Sequence, residues 1–516
     1  MTEMNLKALF EDYPHSPPET DVAVSGISVD SRLTKPGDVF VATSDRKDGH
    51  VFIPHALENG AAAVVGTKPL AEIEPLSVPY FQVEDARGAL AYISEVFYDF
   101  PARELSLIGV TGSDGKTSTV NMLYQILKAA GIKSGMVSTV NAVIGEQELD
   151  TGLHVTTPEV FEVQQFLRQM VDAGLTHAVL ETTSHGLAAR RVFGKDFDIG
   201  VVTNITHEHL DYHGTYDAYL GAKALLFEGL FEPKHKRNLI TPLAVLNFDD
   251  RSYHSLTERT QADKVSYGLS PDADVWASEI LNTPEYLSFK LNGPDFEFEI
   301  QTRMIGNYNV ANILAAITAA IIGLGISPED AKAGIEALES IPGRMERISL
   351  GQDFITIVDF AHTPYALESV LSSARGMTEG RVIAAFGSAG LRDKEKRRMM
   401  AEIAVEMADL SILTAEDPRS ESLDEILAEM AAGALDKGGV EGETFFRIPD
   451  RGEAIRFAIR QARPGDLVYI LGKGHEQSMC FGENEYPWDD RIATQAALAE
   501  ILGSAGPTMP VLPTSK

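Results

Sequence analysis

The stretch "GVTGSDGKTS" at 109–118 follows the apolar run 105–108 and opens into "KTSTVNMLYQILKAAG", whose apolar residues recur at helical spacing. Strand, glycine loop and helix in that order constrain the fold more than any other feature of the chain. Backbone amides of such a loop can wrap phosphate oxygens, and the helix N-terminus adds a favourable dipole. The full P-loop pattern has a glycine five positions before the Gly-Lys pair, where this chain has Val110. On the residues alone the stretch is either a shortened phosphate cradle or a strand-to-helix turn whose lysine faces water. As a cradle, the amides of Gly112, Ser113, Asp114, Gly115 and Ser118 would surround the anion. Lys116 would neutralise β/γ charge and the Thr117 hydroxyl could ligate Mg²⁺.

From that loop onward apolar strands alternate with amphipathic helices. "LSLIGV", "THAVLE", "FDIGVVTNI" and "LAVLNF" read as strands, and helices are expected over about 309–323 and 328–338. Such alternation implies βαβ units and a mostly parallel sheet. "SIPGR" at 340–344 reads as a hinge, and a second series follows it: "FITIVDF", "RVIAAFG", "LSILTA" and "DLVYILG". Before residue 102 lie short β-like runs at 39–42 and 63–65 and a helical stretch at 53–59. The expectation is an α/β protein of three domains: 1–102, 103–340 with a P-loop-type parallel sheet, and 341–505 with a Rossmann-like sheet. The tail 506–516 is expected to fray.

With 516 residues, several cores are needed. A net charge of −31 argues against a nucleic-acid partner, and the single cysteine, Cys480, fits a reducing cytoplasm. No apolar run is long enough to span a bilayer. An acidic protein that binds anions needs a locally basic site, and "LRDKEKRR" at 391–398 is one basic island.

Several stretches gather polar residues where strands end. Glu181 in "LETTSHG" stands where a P-loop domain places a metal-holding carboxylate. Ser184 and His185 in the same stretch lack the Gly-x-Ser-x-Gly elbow of a hydrolase. "TNITHEHLDYHG" crowds histidines without the HExxH spacing of a zincin, and a hard-cation site using one imidazole suits it better. Lys223 sits on a largely apolar helix, where a lone lysine ordinarily snorkels. Asn247, Asp249 and Asp250 end another strand. Asn309 and Asn312 lie one turn apart on one helix face and could read adenine or cap the helix. Asp359 and His362, Arg419, and Gly472 to Glu476 all follow strands of the last domain. They therefore share one carboxyl edge, where α/β ligands bind. Arg419 and Glu476 together suit a zwitterion, the guanidinium for a carboxylate and the glutamate for an ammonium.

The order "TGSDGKTS", "TTP" at 156–158, "ETTSHG", "HEHLDYHG", "GNYNVAN", "PGRMER", "VDFAHTP" and "DPRSE…GKGHE" resembles the Mur ligases. The similarity is strongest to those that add a diamino acid to UDP-MurNAc-L-Ala-D-Glu, and "VDSR" at 29–32 and "DGHVFI" at 48–53 are similar to their UDP-binding segments. The resemblance covers nearly the whole chain. It implies an ATP-dependent, Mg²⁺-requiring cytoplasmic ligase of peptidoglycan precursor synthesis, monomeric, working through an acyl phosphate. It implies that Lys116, Lys223 and His209 are catalytic, and that Thr117, Glu181, His209 and a carbamylated Lys223 serve the metals. Asn309, Asn312, Arg344 and Asp359 would meet the nucleotide. Ser31, Asp48, Gly49 and His50 would meet the uridine diphosphate, and Thr156, Thr157, Ser184 and Arg191 the muramoyl peptide. Asp417, Arg419, Gly472 and Glu476 would receive the amino acid.

Two departures stand out. Ser113-Asp114 replace the usual Thr-Asn of the loop, and Glu416-Asp417-Pro418-Arg419 replaces Asp-Asn-Pro-Arg. The retained arginine favours meso-diaminopimelate, because an unpaired pocket arginine penalises a substrate lacking the second carboxylate. The added acid at 417 leaves lysine or ornithine open. Rival readings are a folylpolyglutamate- or cyanophycin-type ligase and a regulatory P-loop ATPase.

Overall fold

The computed structural model describes residues 3–14, 20–44, 48–73, 75–150, 158–192, 197–206, 210–231, 236 and 240–515. Its centre is an eleven-stranded sheet in which the strand Ser106–Thr111 lies fifth. Seven strands of this sheet run parallel, from Ser134–Val137 through His177–Glu181, Ser106–Thr111, Ile199–Val202, Leu243–Asn247 and Asp263–Gly268 to Val275–Asn282. The inner ones, such as Ser106–Thr111, Ile199–Val202 and Leu243–Asn247, are buried on both faces, which is why they read as continuous apolar runs rather than as alternation. Ile108, Val110, Val179, Ile199, Val201 and Val245 pack with the helix Lys116–Ala129 on one face, while Leu107, Ala178, Leu180 and Ala244 pack on the other.

Antiparallel strands extend both edges. Asn141–Ile144 and Gln147–Asp150 form a hairpin on one side, and Leu287–Asn292 and Glu297–Thr302 continue the other. The helix expected over 309–323 runs as an α-helix at Tyr308–Thr318 and widens to a π-helix at Ala319–Gly323.

Residues 26–82 carry a four-stranded parallel sheet: Gly26–Ser28, Asp38–Val41, Ala63–Gly66 and Tyr80–Gln82. The last sheet has six strands, ordered Glu346–Arg347, Ile355–Asp359, Leu467–Leu471, Val382–Phe386, Leu410–Leu413 and Phe445–Arg447. All but the first run parallel. A small hairpin, Ser478–Phe481 with Asn484–Pro487, stands beside it.

The hinge packs tightly. Gly343 has φ +63, and a Cβ there would lie 2.1 Å from the His475 nitrogen, so only glycine lets the linker cross the 472–476 loop. His475 itself is buried, which pushes its ring down to about 2, and the nearby charges of Arg344, Arg491 and Lys473 act in the same direction.

The tail expected to fray does not. Met509 and Leu512 are buried in the C-terminal core, and the Thr514 and Ser515 hydroxyls each donate to Asp450 at 2.8 Å. Apolar spacing this sparse gives no periodic signal, so only the fold reveals it. Truncation after Ala505 removes two buried side chains, worth about 1.5–3 kcal/mol each when fully buried. We expect calorimetry to show a lower melting transition for the truncated chain, and an unchanged transition would show that the tail packs without stabilising.

Candidate functional site at the carboxyl edges of two sheets

The glycine loop is held by its neighbours rather than by its own helix. Gly112 (φ +153) lies so close to Thr203 that a Cβ would come within 1.8 Å of its hydroxyl. Gly115 (φ +83) packs against Asn312, with a Cβ predicted 2.2 Å from Oδ1. The Ser113 amide donates to the Asn204 carbonyl at 2.7 Å, and the Ser113 hydroxyl pairs with the Tyr219 hydroxyl at 2.9 Å. The Asp114 amide donates to Asn204 Oδ1 at 3.0 Å, and its carbonyl accepts from Thr203 Oγ1 at 2.6 Å. Asp114 adds negative potential at Asp359 and Tyr365, so its carboxylate is felt by the C-terminal domain. Lys116 folds over the loop and donates to the Ser113 carbonyl at 2.6 Å. Ser118 is buried in the first turn of the helix.

Thr117 and Glu181 meet as expected. The buried hydroxyl donates to Glu181 Oε2 at 2.9 Å, the same oxygen accepts from the Thr139 amide at 3.0 Å, and Arg344 reaches Thr117 Oγ1 at 3.2 Å. Arg344 also stacks on Phe360, 4.3 Å from the ring centroid, which ties the C-terminal domain to the loop. Asp359 accepts from the Met345 and Ala361 amides at 2.7 and 2.8 Å. Burial pushes its carboxyl up, while Arg344 and these hydrogen bonds oppose the rise.

Lys223 is not a snorkelling lysine. It is 1% exposed, lies over the Tyr219 ring at 4.6 Å and donates to the Gly112 carbonyl at 2.5 Å. A side chain buried beneath the phosphate loop has a different job from one reaching for solvent. Asn309 and Asn312 are also buried and bonded to each other at 3.0 Å, with Asn309 donating to the Ile305 carbonyl. Asn312 therefore supports Gly115 directly. Asn247, Asp249 and Asp250 close their own turn instead. Asn247 donates to the Thr203 carbonyl at 2.6 Å, and Asp250 accepts from the Ser252 and Ile205 amides.

The muramoyl-peptide candidates divide. Thr156 and Thr157 lie outside the described residues, as does the metal candidate His209. Ser184, buried, pairs with His213 Nε2 at 3.0 Å. Arg191 makes an ion pair with Glu159 at 2.9 Å, and Arg87 of the N-terminal domain meets the same carboxylate at 2.6 Å. In the first sheet, Ser31 Oγ lies 3.0 Å from His55 Nδ1. His50 Nε2 accepts from the Thr67 and Lys68 amides, which leaves Nδ1 as the donor to Asp48 at 2.6 Å. Hydrogen bonds from Lys68 and His50 hold the Asp48 carboxyl well below its ordinary value. Gly49 is required because a Cβ would fall 2.3 Å from the Thr43 carbonyl.

In the last domain, Asp417 (φ +41) and Arg419 (φ +53) form a strained turn after the strand Leu410–Leu413. Lys473, fully buried, pairs with Asp417 at 3.0 Å and with Glu476. Asp417 also accepts from the Cys480 amide at 2.9 Å. The added acid at 417 is thus matched by Lys473 and does not neutralise Arg419. The Arg419 guanidinium makes no ion pair or hydrogen bond among the described residues. Gly472 (φ +109) is pressed against Glu416, with a Cβ 2.4 Å from Oε2. The basic island at 391–398 is largely spent on internal pairs, against expectation. Arg397, fully buried, meets Glu421 and Glu429 at 3.0 and 2.9 Å, and Arg398 meets Glu402 and Asp436.

A glycine-loop nucleotide cradle at one sheet edge, with a charged pocket at a second, defines a multidomain α/β nucleotide-binding enzyme. Comparison with known proteins specifies the class. Residues 23–98 match the Mur ligase family catalytic domain, 110–320 the Mur ligase middle domain, and 343–474 the Mur ligase glutamate ligase domain. A UDP-N-acetylmuramyl-tripeptide synthetase of Roseiflexus sp. (strain RS-1) is 44% identical over 96% of this chain and 98% of its own. A UDP-N-acetylmuramoyl-L-alanyl-D-glutamate–2,6-diaminopimelate ligase of Geobacillus thermodenitrificans is 40% identical over 92% and 95%. A solved structure of a ligase of that same name superposes with a TM-score of 0.64 at 28% identity, covering 97% of this chain and all of that one. The chain belongs to the Mur ligase family.

Two predictions follow from this geometry. Gly115→Ala puts a Cβ into Asn312 at a left-handed φ and should weaken nucleotide binding about tenfold by titration. Gly131→Ala, also left-handed but with open space around it, should leave nucleotide affinity unchanged; equal losses would place the effect in folding rather than in the cradle. Burial raises Glu416 from an ordinary 4.5 to about 7, with Lys396, Arg451 and Lys473 opposing and Asp417 adding to the rise. The folded state therefore binds more protons than the unfolded one between those values, and stability falls as pH climbs through about 7. Glu416→Gln should stabilise by on the order of 2–3 kcal/mol at pH 8 and little at pH 5, read by melting at both. A pH-independent difference would contradict the assigned burial effect.

Proposed function

We propose that the chain is an ATP-dependent ligase that adds a diamino acid, meso-diaminopimelate first among them, to UDP-MurNAc-L-Ala-D-Glu. The observation that carries this reading is the guanidinium of Arg419, which makes no ion pair among the described residues, in the same turn as Asp417, itself joined through Lys473 to Glu476. A cation and an anion held apart there suit the carboxylate and ammonium of one amino-acid centre. Lysine or ornithine would leave Arg419 unpaired in a half-buried pocket, which costs affinity. The name of the Geobacillus relative points the same way.

A carboxylate is a poor electrophile, so ATP first phosphorylates the D-Glu carboxylate to an acyl phosphate. The amine of the incoming amino acid then attacks the acyl carbon, and the tetrahedral intermediate releases phosphate. Lys116 and the amides at the helix end of the loop hold the transferring phosphoryl group, while the Ser113 and Asp114 amides, bonded to Asn204, shape the loop. Lys116 would exchange the Ser113 carbonyl for phosphate oxygens. Asn309, Asn312, Arg344 and Asp359 frame the nucleotide. Glu159 places Arg191 for the muramoyl peptide, and Ser31 with the 48–50 segment takes the uridine diphosphate. The oxygen donors of Thr117 and Glu181 fit Mg²⁺, with His209 and a carbamylated Lys223 completing the metal sites. The metal would neutralise phosphoryl charge in the transfer. Among the described residues no helix is long and apolar enough to cross a membrane, and this reading makes the chain a cytoplasmic monomer without a nucleic-acid partner.

Incubation with ATP, Mg²⁺, UDP-MurNAc-L-Ala-D-Glu and single amino acids tests the assignment through phosphate release. Silence with diaminopimelate, lysine and ornithine would sink it, and amino-acid-independent hydrolysis would favour a regulatory ATPase. Arg419→Ala should raise the KM for diaminopimelate roughly 10- to 100-fold, as loss of a charged hydrogen bond does. The KM for ATP should stay within about twofold.

A further inference from the structure

The two halves of the amino-acid pocket are carried by strands that do not touch. Asp417 and Arg419 follow Leu410–Leu413, while Gly472 and Glu476 follow Leu467–Leu471, and Val382–Phe386 lies between them in the sheet. The strands themselves share no ladder; past their ends the Arg419 backbone bonds Cys480 and Gly482, and Lys473 pairs with Asp417. Behind the pocket another fully buried side chain ties the two strand ends together. Arg451, the first residue of the helix Arg451–Gln461, donates to the Ala415 carbonyl at 3.0 Å and to the Leu471 carbonyl at 2.8 Å. Those carbonyls belong to the residues immediately before Glu416 and Gly472.

The guanidinium is itself fixed. Asp490, also fully buried, accepts from Arg451 Nε at 2.7 Å and from Nη2 at 2.6 Å, and Trp488 Nε1 donates to the same carboxylate at 2.8 Å. Asp490 opens the helix Asp490–Leu502, and Asp450, beside Arg451, is held by the Thr514 and Ser515 hydroxyls. Four of the five guanidinium N–H groups thus serve two carbonyls and one carboxylate. A buried ion pair is a poor source of stability by itself. Its planar fork, however, fixes two acceptors at a set separation, which a point-charge ammonium cannot do.

We infer that Arg451, oriented by Asp490 and Trp488, is a positioning residue that sets the distance between the two loops receiving the incoming amino acid. This inference rests on the amino-acid pocket assigned above. The brace touches no substrate. It holds the strand ends from which both loops start and, with the Arg419–Phe481 bridge and the Lys473 pairs, sets the separation of carboxylate and ammonium that the pocket accepts.

The test is steady-state kinetics of the full chain with all three substrates varied in turn. Arg451→Lys keeps the charge but loses the planar fork and the two-point contact with Asp490 that orients it toward both carbonyls. It should raise the KM for the diamino acid at least tenfold and narrow the preference between diaminopimelate and lysine. The kcat at saturation and the KM values for ATP and UDP-MurNAc-L-Ala-D-Glu should stay within twofold. Trp488→Phe removes one hydrogen bond to Asp490 while keeping an aromatic ring. It should give the same pattern at two- to threefold, and it carries the test should Arg451→Lys fail to fold. KM values rising together, or a lower melting temperature with an unchanged diamino-acid KM, would overturn the inference. If the unsubstituted chain turns over none of the three amino acids, the pocket assignment fails and the brace's role falls with it. Normal turnover with unshifted KM in both variants removes the brace alone.

Discussion

The close approach of Gly112 to Thr203 and of Gly115 to Asn312 is the constraint on which the central domain depends. Each contact leaves no room for a Cβ, and each joins the loop to a different element: the end of the next strand on one side, the helix Tyr308–Thr318 on the other. The loop is therefore clamped rather than merely flexible. Backbone amides that must receive phosphate cannot reorganise at the moment of binding without losing their advantage. The missing glycine at Val110 costs nothing here, because Val110 is the buried fifth residue of the central strand and the chain turns only after it.

Below that clamp, Lys223 and Glu181 are set by burial as much as by sequence. Both are within a few per cent of full burial, and both are engaged by the loop region, through the Gly112 carbonyl and the Thr117 hydroxyl. A charged side chain is left in such a place only when partners compensate it. The same logic runs through the last domain, where fully buried Lys473 is balanced by Asp417 and Glu476.

The inner strands of the two large sheets were legible because continuous apolar runs bounded by polar loops have few other readings, whereas Ser134–Val137, Asp263–Gly268, Val275–Asn282 and Phe445–Arg447, short or mixed with polar residues, were not. The convergence of Arg419, Gly472 and Glu476 was legible too, since parallel strands deliver their following loops to one edge. Long-range pairing was not. Nothing local marks Glu421 and Glu429 as the partners that consume Arg397, so the basic island looked available. Nothing marks Asp450 as the anchor of the last residues, so the tail looked loose. Arg451 and Asp490 are 39 positions apart and resemble ordinary surface helix residues in sequence. Lys223 was misread from its residues alone for the same reason, its partner lying 111 positions away.

These misses share a cause that bears on how the pocket works. Sequence pattern reports which residues arrive at an edge, because that follows from the strand period. The separation of two arriving loops depends instead on what lies behind them, and in this sheet a third strand stands between. A pocket that discriminates one carboxylate and one ammonium at a fixed distance needs that separation held to a fraction of an ångström. The two strands share no ladder, so the backbone bonds of Arg419 to Cys480 and Gly482 act together with buried side chains behind the loops. A rigid, planar, doubly bonded link of that kind is what the completely buried Arg451 guanidinium provides between the Ala415 and Leu471 carbonyls.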